Sequence, residues 1–150
     1  MKLIAEFEGF SAKPYYATAE EKLKGIVTIG YGNTFYPDGT KVKITDSQIT
    51  QEKALYILDK LVDKFRIQVK KYVKKELNKN QEDALVSFAY NVGIGNFSKS
   101  TLLKLVNVNP NDAMIAKEFL KWNKQAGKEL KGLTNRRIKE SALYFTKWDI

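Results

Sequence analysis

The sequence predicts an α+β fold, and three observations carry that expectation. Strand-like patterning is confined to the first third of the 150 residues. From about residue 50 apolar residues recur at steps of three and four, the period of a helix. Segregated strands followed by helices argue α+β rather than alternating α/β units. No repeat, low-complexity stretch or flexible linker interrupts the chain, so it is expected to fold as one unit. A composition 43% apolar and 29% charged fits an ordinary globular protein.

"LIAEFEGF" (3–10) reads as the end of a short helix over residues 1–8, with Leu3, Ile4 and Phe7 on one side and Gly9 as its stop. Residues 13–24, "KPYYATAEEKLK", read as a loop with room for one helical turn. "GIVTIGYGNTFY" (25–36), β-branched and aromatic with three glycines, predicts a twisted strand with a close backbone approach. "PDGT" (37–40) is a turn, and the alternating "KVKIT" (41–45) is expected to return as the partner strand.

Thr50 is placed to cap a helix in which Ala54, Leu58, Leu61, Phe65, Val69 and Tyr72 form one apolar stripe. About 22 residues at 1.5 Å each span roughly 33 Å, enough to bridge two lobes. Asn80 is read as the start of a mostly apolar helix that Gly93 stops, and 100–106 as a short helix. Asn109 and Pro110 are read as the cap and first residue of another helix. A last helix is expected from Thr134. Trp122 and Trp148 are expected in packing rather than as sugar platforms.

Composition removes several chemistries. There is no cysteine and no histidine. That excludes thiolate and Ser–His nucleophiles and the usual zinc ligands, so no metal and no cofactor is expected. Acid–base work must fall to carboxylates, Tyr or Lys. A net charge of +9 suits a polyanionic partner such as the acidic bacterial wall, with binding that weakens in salt, or is simply a solvated lysine-rich surface. No stretch interleaves basic and aromatic residues as a nucleic-acid groove would, so no nucleic-acid partner is expected. "MKLIAEFEGF" is too short in apolar residues for a signal-peptide core or a membrane span, which predicts a cytoplasmic chain with no stable membrane insertion.

Glu8 is the residue to watch. If Gly9 stops the helix, Glu8 sits at the negative end of the helix dipole, where an anion is disfavoured by about 0.3–1 kcal/mol. That repulsion favours a protonated carboxyl, as a proton-donating acid requires. Periodicity does not separate Glu8 from Glu6, since both border the apolar face.

"EG" at 8–9, Tyr15, "TIGYGNT" (28–34), "ALVSFAYNVG" (84–93) and "GLTNRRIKE" (132–140) occur in one order along nearly the whole chain. Together they resemble the phage-type lysozymes, or endolysins, of glycoside hydrolase family 24, whose N-terminal pattern is roughly E-G-x5-Y-x-D-x2-G-x2-T-I-G-Y-G-H-T. The resemblance implies a lysozyme-like fold: a small β-containing lobe over about residues 10–50, and a larger helical lobe of 1–9 and 51–150 with a cleft between. It implies cleavage of the β-1,4 bond between N-acetylmuramic acid and N-acetylglucosamine in peptidoglycan. Glu8 falls on the general acid, and Thr28 on the threonine that helps hold the attacking water. Tyr31, Asn33, Thr34, Tyr90, Asn91 and Ser100 match substrate-binding positions. Such an enzyme would act as a monomer and need a holin to reach the wall.

Two departures from the pattern matter. The family aspartate position is Ala17, and no Asp occurs between Glu8 and Asp38. Glu20 is the expected substitute, reaching back from a loop longer than the family's, with Glu21 as the neighbouring possibility. The other outcomes are an enzyme that manages with Glu8 and Thr28, a lytic transglycosylase-like route with a single acid, and a wall-binding scaffold. Asn33 stands where the family usually has His and cannot charge near neutral pH. Arg136 and Arg137 are read at the start of the last helix, a disfavoured place for cations. The resemblance sets Arg136 near the catalytic Glu.

Overall fold

The computed structural model describes residues 2–125 and 127–147; Trp148 lies outside the described residues. Two compact units divide the chain, Met1–Lys64 and Phe65–Ile150. The boundary falls inside the long helix, and the first helix belongs to the first unit.

In the first unit α1 (Lys2–Glu8) is followed by β1 (Ser11–Tyr15), α2 (Ala19–Lys24) and β2 (Thr28–Gly30). Gly9 ends α1 as expected, at φ +67°, its N–H donating to Ala5 O at 3.1 Å. β1 and β2 pair antiparallel with Ser11 opposite Gly30 and Tyr15 opposite Thr28. Five residues of β1 thus face three of β2, and the irregularity accommodates Pro14, which has no N–H to give a ladder.

This pairing corrects the sequence reading. The partner of "TIG" is the segment before it, and 41–45 forms no strand. Asp46 accepts the Lys43 N–H at 2.9 Å and the Tyr36 hydroxyl at 2.6 Å, curling that stretch into a turn. What remains is an isolated bridge between Phe35 and Lys41. Val27, Ile29 and Val42 form a small core that Tyr16, Tyr36 and Ile49 flank.

The helix α3 (Gln51–Tyr72) starts where the sequence placed it, with Thr50 Oγ1 accepting the Lys53 N–H at 3.1 Å. Of the predicted stripe Ala54, Leu58, Leu61 and Val69 are buried, and Tyr72 is exposed. The second unit continues with α4 (Lys79–Val92), α5 (Ile94–Lys99), α6 (Thr101–Val108), α7 (Met114–Leu120), a two-residue hairpin β3 (Lys124–Gln125) and β4 (Lys128–Glu129), and α8 (Lys131–Tyr144). Its core is aromatic. Phe88 meets Phe119 and Trp122 edge-on, with ring centroids 5.7 and 5.5 Å apart.

Three helix starts differ from expectation. Asn78, not Asn80, caps α4, in a complete capping box with Gln81. Asn109 and Asp112 side chains accept the N–H groups of Asn111 and Met114, so that segment stays a turn and α7 begins later. And α8 begins at Lys131, which places Arg136 and Arg137 beyond its first turn, where the dipole penalty has faded.

Among the described residues no helix is long and apolar enough to cross a membrane.

Candidate active site

Glu8 is the last residue of α1 and is half-buried, whereas Glu6 is exposed. The structure therefore separates the two carboxylates that periodicity could not. Gly32, at φ +75°, shows how closely Glu8 is held. A Cβ built on Gly32 would stand 2.0 Å from Glu8 Oε2 and 2.6 Å from its carboxyl carbon. The carboxylate thus lies against the backbone of the "GYG" turn, in space that only glycine leaves open.

The strand pair supplies the next groups. Tyr15 and Thr28 are directly opposite in the antiparallel ladder, so their side chains leave the same face. Thr28 is buried and Tyr15 partly exposed. Burial pushes the Tyr15 phenol above its ordinary value, and the charges of Glu8 and Glu21 push it further.

Glu20, the expected substitute for the family aspartate, lies elsewhere. Its side chain is 67% exposed and paired with Lys24 at 2.8 Å along the surface of α2, a pairing that holds its carboxyl below the usual range. Glu20 and Glu21 are adjacent on a helix, about 100° apart around its axis, so they cannot share a face. The inward residue is Glu21, whose Oε2 is buried with no hydrogen-bond partner among the described residues.

The remaining predicted residues of the first unit are partly structural. Tyr31 is buried, stacked obliquely on Phe10 at 5.7 Å, and its hydroxyl accepts from Gln51 Nε2 at 3.1 Å. Asn33, at the family's histidine position, is buried and donates from Nδ2 to Phe35 O at 2.9 Å, tying the turn after β2. Thr34 is half-buried and lines a groove of about 210 Å³ with Lys24, Ile26, Phe35 and Lys41.

In the second unit Tyr90 is half-buried with its ring 5.3 Å from that of Phe65, and Asn91 is exposed, its Oδ1 accepting from Arg137 Nη2. Ser100 is buried and serves as a helix cap. Its Oγ accepts the Leu103 N–H at 3.1 Å and donates to Phe97 O at 2.7 Å, which leaves no donor for a sugar. Arg136 is buried, with Nε on Glu140 Oε2 at 3.2 Å and Nη2 donating to Ser87 O at 3.1 Å. Arg137 Nη1 stands 2.9 Å from Glu140 Oε1, and Ser87 Oγ donates to Glu140 Oε2 at 2.5 Å. Burial pushes the Glu140 carboxyl up, and the two guanidiniums and the serine pull it back.

Sequence reasoning ranked Glu21 behind Glu20 and did not single out Gly32. The signal for Glu21 was present. "TAEE" (18–21) followed by Gly25 is a helix start and stop, which makes the insertion a built helix and gives its two glutamates different faces. No local signal marks Gly32, because its neighbour Glu8 is distant in sequence. Among the described residues no group of three or more Asp and Glu side chains is arranged to hold a metal ion.

Comparison with known proteins shows the family and the fold. A family model described as phage lysozyme matches residues 5–140. The chain is 42% identical to an endolysin of Bacillus phage B103 over 146 residues, 97% of this chain and 52% of the relative. It thus spans about half the length of the Bacillus phage relatives it matches. Among solved structures, an endolysin from Escherichia coli O157:H7 phage FAHEc1 superposes with a TM-score of 0.80 at 37% identity, covering 96% of this chain and 89% of that one. The muramidase domain of SpmX from Asticaccaulis excentricus gives 0.81 at 30% identity, covering 97% and 94%.

Proposed function

The chain belongs to the phage lysozyme family, and on that premise we propose that it is an endolysin, a muramidase acting on peptidoglycan in host-cell lysis. The bond cleaved is the β-1,4 link from C1 of N-acetylmuramic acid to N-acetylglucosamine. Glu8 protonates the bridging oxygen, the C1–O bond breaks with its electron pair left on that oxygen, and water adds to C1 from the side where Thr28 holds it. The products are a reducing muramic end and a free 4-hydroxyl. Tyr90 and Asn91 are the sugar-contacting residues we assign in the second unit. Access to the wall through a holin and action as a monomer belong to the same proposal.

One observation carries this reading: Glu8 is half-buried at a helix end and seated against Gly32, rather than extended into water. A salt-bridging surface glutamate would need no such seat. The rest of the support is the family match, which covers both "EG" and "TIGYG".

Clearing of purified peptidoglycan suspensions is the test. Wild type clears and Glu8→Gln loses about 10²-fold or more of that rate, the usual size of a general-acid contribution. If both variants sediment with the wall and neither clears, the protein is a wall-binding scaffold. A single-acid route, in which the muramic 6-hydroxyl attacks C1 internally, is favoured by one observation: Ala17 at the family's aspartate position. Mass spectrometry of the fragments separates the two, since hydrolysis leaves a reducing end and internal attack an anhydro end.

A further inference from the structure

We propose that Glu21 is the second carboxyl of this reaction, the base that takes the proton from the attacking water. This rests on the reading of Glu8 as the acid. With Glu21 in that role the hydrolysis balances. The water oxygen forms its bond to C1, its proton passes to Glu21, and the proton of Glu8 leaves with the departing sugar. The enzyme is left with Glu8 ionised and Glu21 protonated, and solvent exchange restores both.

The first argument compares two helix starts in the same molecule. Helices α2 and α4 both begin with a polar cap followed three residues later by Glu or Gln. In α4 the box is complete: Asn78 Oδ1 accepts the Gln81 N–H at 2.8 Å, and Gln81 Oε1 accepts the Asn78 N–H at 3.0 Å. In α2 half of it forms. Thr18 Oγ1 accepts the Glu21 N–H at 3.0 Å, but the Glu21 carboxylate does not return the bond. A glutamate at this position has a ready structural use, and here it is not used.

Glu21 Oε2 is instead buried with no hydrogen-bond partner among the described residues. A buried acceptor left unmet is costly, because it has given up its water and gained no partner. Groups kept at such a cost are common where a ligand or a water completes them. Both ends of the helix hold Glu21 in place. Gly25 closes α2 at φ +69°, and the Ile26 N–H donates to Glu21 O at 2.8 Å.

The surroundings are those of a reaction centre. Tyr15, whose phenol feels both Glu8 and Glu21, stands opposite Thr28 on one face of the strand pair. Glu8, Tyr15, Glu21 and Thr28 come from four consecutive elements, α1, β1, α2 and β2, so the site is assembled within the first 30 residues. The added helix α2 thus supplies, from a later position in the chain, the carboxyl missing at Ala17. Glu20, bound to Lys24 on the exposed side, does not compete for the role.

The test compares Glu21→Gln, Glu21→Ala, Glu20→Gln and Glu8→Gln as purified full-length proteins on peptidoglycan fragments. Glu21→Gln is expected to lower kcat about 10²-fold with KM nearly unchanged, while Glu20→Gln keeps the wild-type rate. The melting temperature of Glu21→Gln should equal or exceed that of wild type, because the buried Oε2 makes no hydrogen bond that the substitution would break. Azide attacks C1 as an anion with no proton to lose, so it should restore turnover to Glu21→Ala and yield a glycosyl azide. Wild-type rates for Glu21→Gln alongside an inactive Glu8→Gln would overturn this assignment and leave the acid in place. A lowered melting temperature matching the loss of rate, with no azide product, would also overturn it as a structural role. Full activity of Glu8→Gln would instead remove the underlying reading.

Discussion

Carboxylates in the two units of the molecule are held on opposite terms. In the second unit Glu140 is fully enclosed, yet both of its oxygens meet a cation and one also meets the Ser87 hydroxyl. In the first unit Glu8 leans on a glycine backbone, and Glu21 presents a buried oxygen that no described residue satisfies. The first arrangement is what a fold does with charge when the charge serves the fold. The second fits the proposal that both carboxyls act on a substrate. Their supports differ in the same way. The aromatic core around Phe88 backs one, with the Arg137 guanidinium 5.0 Å over its ring, and short strands and positive-φ glycines hold the other.

Substitutions can break this contrast from either side. The largest effect is expected from Glu140→Ala, which strands two buried guanidiniums. Removing one partner from a buried ion pair costs about 3–5 kcal/mol, so denaturant melts should show a large loss of stability. Gly32→Ala should act on both stability and activity. A side chain at φ +75° that also collides with Glu8 costs about 1–3 kcal/mol and displaces the proposed acid, so wall clearing should fall further than urea stability does. Asn78→Ala removes the cap of α4 and is expected to cost about 1 kcal/mol in the same melts with clearing unchanged.

The smallest effect is a pH dependence. The Tyr36 hydroxyl and the Lys43 N–H hold the Asp46 carboxyl below its ordinary value of 3.8, and Tyr36 is pushed up to about 12, first by burial and then by its bond to Asp46. A carboxyl lowered by folding stabilises above its unfolded pKa and loses that contribution as pH falls through the folded one. Asp46→Asn should therefore melt below wild type at neutral pH, and the difference should close as pH falls below 3.8.

How much of this could be read in advance depends on the range of the interactions. Thr50 as a cap, Gly9 as a stop and the α3 stripe were legible because each follows from residues within one or two helical turns. The strand pairing was misread because "KVKIT" alternates as a strand should, and nothing local reveals that Asp46 would turn it back. The Arg136 dipole argument failed by three residues of helix boundary. The family motifs single out Glu8 and Thr28 as candidates, but they do not choose between Glu20 and Glu21, because neither occupies a position in the motif.

Taken alone, the sequence determined the α+β class, the family, the Thr50 cap, the Gly9 and Gly93 stops, and the absence of any histidine or cysteine chemistry, since composition and near-neighbour spacing suffice for these. Only the tertiary structure decided that Glu8 rather than Glu6 is seated on Gly32, that Tyr15 faces Thr28, and that Glu21 turns inward while Glu20 stays with Lys24. Those are questions of which distant segments exclude water from one another, and the packed chain answers them.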